Sequence, residues 1–460
     1  MKALLLQAIS HGLKLGSSQV EVFGSRTRVA SVSFENGRLN NIEEREDAGV
    51  GVRVLRSDCG RISVGSSFTT RTSSDALKTA VAHALALAKN ISPIARKFSF
   101  EGNTTKRPQI RSQEDPAIVN GNVSEAVALA KSMMEAAKLN PRVRTTTGNI
   151  TLSYFRGFFR NSLGVEGSYP STLFQASMSA VAARGNNDAS AYDSLCAREI
   201  SHENAIQLAQ KVGDIAVSQL KPKSTKKGIV NVILGPDALQ ELCTNILAIA
   251  LRGNMVAKKQ SCLRGKFGRS VASEVVNIED NGTLPALVGS KPFDDEGHEV
   301  CHKDIVRKGI LVSYLNNLST VSEDPNGQPG NGIRVSYTDM MKKYMTTPQI
   351  LPHNLIIKPG KNDLQGLTED LEAGIFIRSL IGAHTANRVT GRFAVAPQMA
   401  YKVRRGEIEY PIKETVLSGS IFELLKGIKS FGQDAVQMLS GSTDSSCYFP
   451  SALVEGLIIS

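Results

Sequence analysis

Asn36-Gly37 stands between two runs of alternating apolar and polar residues, and no other feature of the chain limits its fold as tightly. The tightest hairpin turn needs positive φ at both central residues, and Asn-Gly supplies it, so the flanking runs must pair as antiparallel neighbours. Val20, Val22, Val32 and Phe34 alternate before the turn, and Leu39 and Ile42 follow it. Val50, Val52 and Val54 then lead to a second turn at Ser57-Asp58-Cys59-Gly60, after which Ile62 and Val64 alternate back. A side-chain period of two sends one set of residues to one face, so this is a meander with one buried side.

Helical spacing follows. Leu4, Leu5, Ala8, Ile9 and Leu13 make an apolar face on a first helix, ahead of the meander. Ser74 is positioned to cap a helix with Leu77, Val81, Leu85 and Ala88 on one side, and Ser124 to cap another with Val127, Met134 and Leu139 inward. Ser201 is positioned to cap a third, carrying Ala205, Leu208, Val212 and Ile215. Between the last two, Ile150-Leu152-Tyr154 and Phe174-Ala176-Met178-Ala180 alternate as strands. Strands, helices, strands and a helix in that order predict an α+β domain rather than βαβ repeats.

A length of 460 residues gives room for two to four domains. Lys221-Pro222-Lys223-Ser224-Thr225-Lys226-Lys227 has no apolar residue and divides an N-terminal α+β domain, 1–222, from a mostly β domain, 228–460. The second domain opens with a strand at Ile229–Leu234, Gly235-Pro236 and a helix at Ala238–Leu251. Hydrophobic residues at 41% and charged residues at 21% exclude a disordered chain. The six cysteines form no C-x-x-C pair, which fits free thiols in a reducing compartment. The apolar run at the N-terminus is too short for a signal peptide, and no run is long enough to span a membrane, so the expectation is a soluble cytoplasmic protein. The net charge of +11 draws acidic partners only weakly. Nucleic acid is not expected as a partner, because the linker is the only basic cluster along the chain and aromatics are 5% with no Trp.

His298-Glu299-Val300-Cys301-His302 spells the H-E-x-x-H zinc signature. That chemistry needs a helix, where positions i and i+4 share a face. Here Asp294-Asp295-Glu296-Gly297 precedes it as a charged, exposed turn, and Lys308-Gly309 follows as a hairpin turn. On a strand the two imidazoles lie about 13 Å apart, too far for one ion. Pro325–Gly332 lacks the Lys-Ser/Thr of a phosphate loop and reads as a surface loop or the edge of a substrate site. His353, His384 and Cys447 are distant in sequence, so a relocated metal site would need the fold to gather them with His298 and His302.

As a whole the chain resembles the TldD/PmbA family, named for modulators of DNA gyrase and counted among metalloproteases. The resemblance covers nearly the full length. In the first domain it rests on Gly37-Arg38-Leu39, Ala48–Val54 and Gly60-Arg61. In the second it rests on Val232–Pro236, Ser290–Gly297, Gly309–Leu315, Thr390–Phe393, Gly406-Glu407-Ile408 and Gly432-Gln433-Asp434. Within that family, TldD-type subunits carry H-E-x-x-x-H in the helix after the Gly-Pro strand, plus a C-terminal Cys, and hold one zinc. Here the helix keeps Glu241 and has no His, and Cys447 lacks the matching context. The resemblance therefore implies the PmbA branch, also called TldE: a subunit with no catalytic residue and no cofactor of its own. It would pair with a TldD-type subunit that holds zinc, and line the channel in which unfolded or leader peptides are cleaved. Asp294, Asp295 and Glu296 form a family motif of unknown role. Two alternatives remain: an autonomous metallopeptidase with a relocated site (His298, His302, Cys447), or a nucleic-acid or gyrase-associated factor. A homodimer in isolation is also compatible with the sequence.

Overall fold

The computed structural model of the chain describes every residue except 1, 59, 93–97, 103–107, 111–112, 122, 138–139, 186, 325–326 and 441–443. Cys59, Leu139 and the start of the Pro325 loop therefore lie outside the described residues. The N-terminal half runs α1 (Lys2–Lys14), β1 (Gln19–Glu35), β2 (Arg38–Asp58), β3 (Arg61–Thr69), α2 (Ser74–Asn90), α3 (Pro116–Asn120), α4 (Val123–Ala137), β4 (Val143–Asn161), β5 (Glu166–Arg184), β6 (Asn187–Ala197) and α5 (His202–Ser218). Its strands form one antiparallel sheet in the order β3-β2-β1-β4-β5-β6.

Asn36 and Gly37 turn the first hairpin with φ of 50° and 76°, the positive pair that the dipeptide demands. β2 is one long strand, so Leu39 and Val54 belong to the same element. Ser201 caps α5 by accepting from the Asn204 N–H. α2 is capped one residue earlier than expected: Ser73 has the extended backbone a cap needs and accepts from the Ala76 N–H, which leaves Ser74 helical. Ser124 likewise falls inside the first turn of α4.

One face of the sheet is covered by helices. Val20, Val22, Val50, Val52 and Val54 pack on α1 and α2, while Val32, Phe34, Ile150, Leu152, Phe174 and Ala176 pack on α4 and α5. Leu13 is exposed, because Gly12 takes the inward position against Val20, where a Cβ would sit only 2.7 Å away. The odd-numbered residues of β1, β4 and β5 point to the other face, toward the second domain.

That domain runs β7 (Gly228–Leu234), α6 (Pro236–Leu242), a π-turn (Cys243–Leu247), α7 (Ala248–Ala250), α8 (Gly253–Ala257), β8 (Ile278–Asn281), β9 (His302–Arg307), β10 (Ile310–Leu311), β11 (Gly332–Arg334), β12 (Pro348–Ile350), β13 (Asn354–Ile357), α9 (Leu364–Leu371), β14 (Ala373–Ile381), β15 (Arg392–Arg404), β16 (Glu407–Pro411), β17 (Leu417–Ser420), α10 (Ile421–Gly427), β18 (Ile428–Phe431), β19 (Val436–Leu439), β20 (Ser446–Phe449) and β21 (Ala452–Ile459). β14 pairs with β7 and with β15, and the pairings β7–β21–β17–β15 close the ring into a barrel. Closure leaves this sheet with few free edges. A second sheet, β10-β9-β8-β13-β20-β19, packs through the same apolar core. The Lys-rich linker is not loose: Lys223 bridges to Ile412, and its ammonium lies 4.4 Å over the Tyr410 ring. Among the described residues no helix is long and apolar enough to cross a membrane.

Candidate functional site

Between the free face of the first sheet and the second domain runs a cleft with two lobes of about 860 and 400 Å³. Asn149, Thr151, Gln175 and Leu439 line both lobes, so the two are continuous. The sheet wall is made of small polar residues, among them Ser31, Ser153, Ser171, Ser177 and Ser179. A strand face open to water normally carries Lys and Glu. From 167 to 183 this chain has no charged residue, a sequence signal of a polar but covered face. The opposite wall comes from α6 (Asp237, Gln240, Glu241), β14 (Ser379) and β19 (Gln437, Met438, Leu439).

Two end strands meet at this cleft. β6 closes the first sheet and β19 closes the second, with Cys196 Sγ 3.7 Å from the Gln437 carbonyl. Gln437 Nε2, Ser379 Oγ and Thr27 Oγ1 are buried on the cleft walls without a hydrogen-bond partner among the described residues. Such groups cost free energy until something bonds them. At the α6 end, Asp193 accepts from Arg378 (2.8 Å) and Lys211 (3.0 Å), while burial and the neighbouring Asp193 push the Asp237 carboxyl up to about 6.

The helix expected at Ala238–Leu251 is broken by the π-turn. Its cause is local: Thr244 Oγ1 donates to the Gln240 carbonyl (2.8 Å) and Asn245 Nδ2 to that of Glu241 (2.9 Å). Side chains thus take acceptors that backbone N–H groups would use, and the Ala248 N–H reaches back five residues to Cys243. Laying H-E-x-x-x-H on Glu241 puts Gln240 and Asn245 at the two histidine positions. On a 3.6-residue helix, five positions span about 1.4 turns, and here the change from α-helix to π-turn falls between the two positions. Both histidine positions of the motif are amides here, Gln240 in α6 and Asn245 in the π-turn. Gln240 Nε2 donates to the Leu439 carbonyl (3.2 Å), and Glu241 accepts from the Ala383 N–H (3.3 Å). Burial holds the Cys447 thiol well above its ordinary range, so it stays protonated, directed at the Met438 carbonyl. Two amides, one carboxylate and a protonated thiol do not fit zinc, which takes imidazole, thiolate and carboxylate ligands.

The acidic motif corrects the sequence reading. Asp294, Asp295 and Glu296 are fully buried between the domains rather than exposed on a turn. Asp294 accepts from the N–H groups of Glu296, His298 and Gly332 at 2.8–3.0 Å. Asp295 accepts from Lys291 (3.0 Å), Tyr169 (3.2 Å) and the Arg334 N–H (2.7 Å). Glu296 accepts from Arg53 Nη1 (3.1 Å) and the Leu318 N–H (2.9 Å). Arg53 also forks onto Glu21 at 2.7 and 2.5 Å, and Arg334 reaches Glu21 at 3.1 Å. Charges buried in this way must be paired, and Arg53 and Tyr169 come to this motif from the first domain.

The H-E-x-x-H letters lie on a turn running into β9. His298 bonds Glu101 of the first domain, whereas exposed His302 sits 3.1 Å from Glu279 and 3.6 Å from Asp304. Glu279, His302 and Asp304 form the one group among the described residues close enough to share a metal ion. Lys358 (3.4 Å) and Arg307 (2.5 Å) already neutralise its two carboxylates. His353 is buried with its ring between the carbonyls of Gly330 (2.7 Å) and Gly289 (3.2 Å), and burial pushes it down to about 3. His384 is exposed on a short turn. His298, His302, His353 and Cys447 thus have separate partners, and the fold does not gather them.

Protein-family models match the chain at residues 20–88 (PmbA/TldA metallopeptidase domain 1), 122–220 (the central domain) and 227–460 (the C-terminal domain). The metalloprotease PmbA of Escherichia coli O157:H7 is 25% identical over 466 residues, covering 99% of this chain and 97% of its own. A metalloprotease TldD homolog of Buchnera aphidicola is 26% identical over 415 residues, covering 87% and 82%. A solved structure titled as a putative modulator of a DNA gyrase, from Thermotoga maritima, superposes with a TM-score of 0.87 at 24% identity and covers 100% of both chains. Identity to PmbA-named and TldD-named relatives is equal within a percentage point, so residues must distinguish the two branches.

Proposed function

The chain belongs to the PmbA/TldD metallopeptidase family, and from that premise we propose that it is a cytoplasmic PmbA-type subunit without a metal of its own. It works beside a TldD-type subunit that carries zinc, and its cleft holds an unfolded or leader peptide in extended form. The observation that carries this reading is the amide substitution at the π-turn: Gln240 and Asn245 occupy the positions where a metal-bearing helix needs imidazoles. Bond polarisation and water activation then fall to the partner, and this chain binds and orients.

The cleft suits that task. End strands β6 and β19 border it, and an extended peptide adds to a free strand edge through its main chain whatever its side chains. Gln437 Nε2 and Ser379 Oγ supply unfilled hydrogen-bonding positions for such a chain. The wall of Ser, Thr, Asn and Gln bonds a peptide without selecting one charge.

The test is zinc content by elemental analysis, with peptide hydrolysis measured alongside. The protein alone should hold almost no zinc and cleave nothing, and a mixture with a TldD-type subunit should hold about one zinc per pair and cleave unfolded peptide. One zinc per chain in the protein alone overturns the reading and returns His298, His302 and Cys447 to candidacy.

A further inference from the structure

The basic residues that look scattered in sequence converge on one surface of the barrel domain. From Leu242 to Ser273 the chain has six cations (Arg252, Lys258, Lys259, Arg264, Lys266, Arg269) and no Asp or Glu. At the chain's average, 43 acidic residues in 460, a stretch of that length would carry about three. A second acid-free stretch, Ala373–Gly406, joins it: the Cys262 N–H donates to the Arg388 carbonyl (3.2 Å), and Gly391 lies against the Cys262 sulfur. Arg388 and Arg392 therefore extend the patch, and both are exposed, as are Lys258, Lys259, Arg264 and Arg269.

Solvated charge runs usually mix signs or dangle, and this one does neither. Among the described residues none of these exposed cations forms an ion pair. The segment is pinned from below by fully buried Leu263 and Val271, by Ser261 Oγ donating to the Ala250 carbonyl (2.6 Å), and by Tyr314 Oη donating to that of Leu263 (2.8 Å). Asp324, within electrostatic reach of Tyr314, already accepts from Asn316 (2.9 Å). Two large aromatic rings stand open at the patch: Phe267, 40% exposed, and Tyr337, 60% exposed and within electrostatic reach of Arg252.

We propose that this surface binds the phosphodiester backbone of a nucleic acid. Fixed, unpaired cations release counterions when phosphates replace them, and this drives such binding. Open aromatic rings between cations stack bases where the strand is single. An acidic protein face fits less well, because protein interfaces are depleted in Lys and this patch carries Lys258, Lys259 and Lys266. The reading is independent of the peptide cleft and of any metal.

The probe is a fluorescein-labelled oligonucleotide of about 20 nucleotides, single-stranded and as a duplex, with anisotropy followed from about 50 to 200 mM salt. Both should bind saturably at low salt. Arg264→Ala/Lys266→Ala/Arg269→Ala should weaken binding at least tenfold and flatten the log–log salt slope by about 2 for the single strand and about 3 for the duplex. Arg264→Lys/Arg269→Lys should bind like the wild type, and matching thermal unfolding of all variants checks the fold. Tighter binding of the single strand, lost in Phe267→Ala, adds stacking, and equal binding assigns phosphates alone. Absence of saturable binding, an unaffected triple variant, or equal competition by poly-L-glutamate overturns the proposal, the last in favour of an acidic protein surface.

Discussion

Two segments of this protein invert the relation between spelling and shape. His298–His302 spells a zinc signature and folds as a turn entering a strand, its imidazoles turned to Glu101 and to Glu279. Gln240–Asn245 spells no such signature, and an i to i+5 turn begins inside it at Cys243. A metal site needs donor chemistry and donor geometry together, and the first segment has donors without the helical geometry, while the second is helical without the imidazoles. The surroundings show what each segment does instead. The first continues the buried acidic turn that fastens the two domains, and the second forms part of the cleft wall.

The strongest way to break this comparison is to attack the fastening. Arg53→Met leaves Glu296 buried without its cation and Glu21 with only Arg334, so equilibrium unfolding should show a loss of about 3–5 kcal/mol. A loss under about 1 kcal/mol would mean that the acidic turn is not structural. The next test exchanges chemistry at fixed geometry: Gln240→His/Asn245→His should take up zinc toward one per chain after dialysis, with a thermal midpoint that rises with zinc concentration. His298→Ala/His302→Ala should leave metal content where it was. Zinc uptake that follows the second pair rather than the first would reverse the assignment. The smallest effect is a pH dependence at His298. Burial opposes its charge, but the bond to Glu101 and the field of Asp294 raise its pKa above 6.5. A raised histidine stabilises fully below its unfolded pKa and stops doing so as pH rises through the folded value. As pH rises above about 6.5 the wild type should therefore lose stability that His298→Gln does not, by less than about 1 kcal/mol.

Much of the fold was legible from short-range pattern. The positive φ required at Asn36-Gly37, the valine alternation of β2, the Ser201 cap and the Lys308-Gly309 turn all depend on neighbours within a few residues, and all stand where the pattern puts them. The cap at Ser73 rather than Ser74 shows the limit of that legibility, since two adjacent serines differ only in backbone angle. Asp294-Asp295-Glu296 was misread for a different reason. A run of acids is exposed unless cations meet it, and those cations are Arg53 and Lys291, of which Arg53 arrives across 243 residues.

Sequence by itself determined the meander, the helices on its covered face and the lack of imidazole on the α6 helix, because each is a property of residue type at short spacing. Tertiary structure alone decided which charges are buried and that cations from two distant acid-free stretches share one surface. Electrostatic and packing energies depend on distance in space, and the closed barrel and the long antiparallel sheet set that distance independently of chain separation.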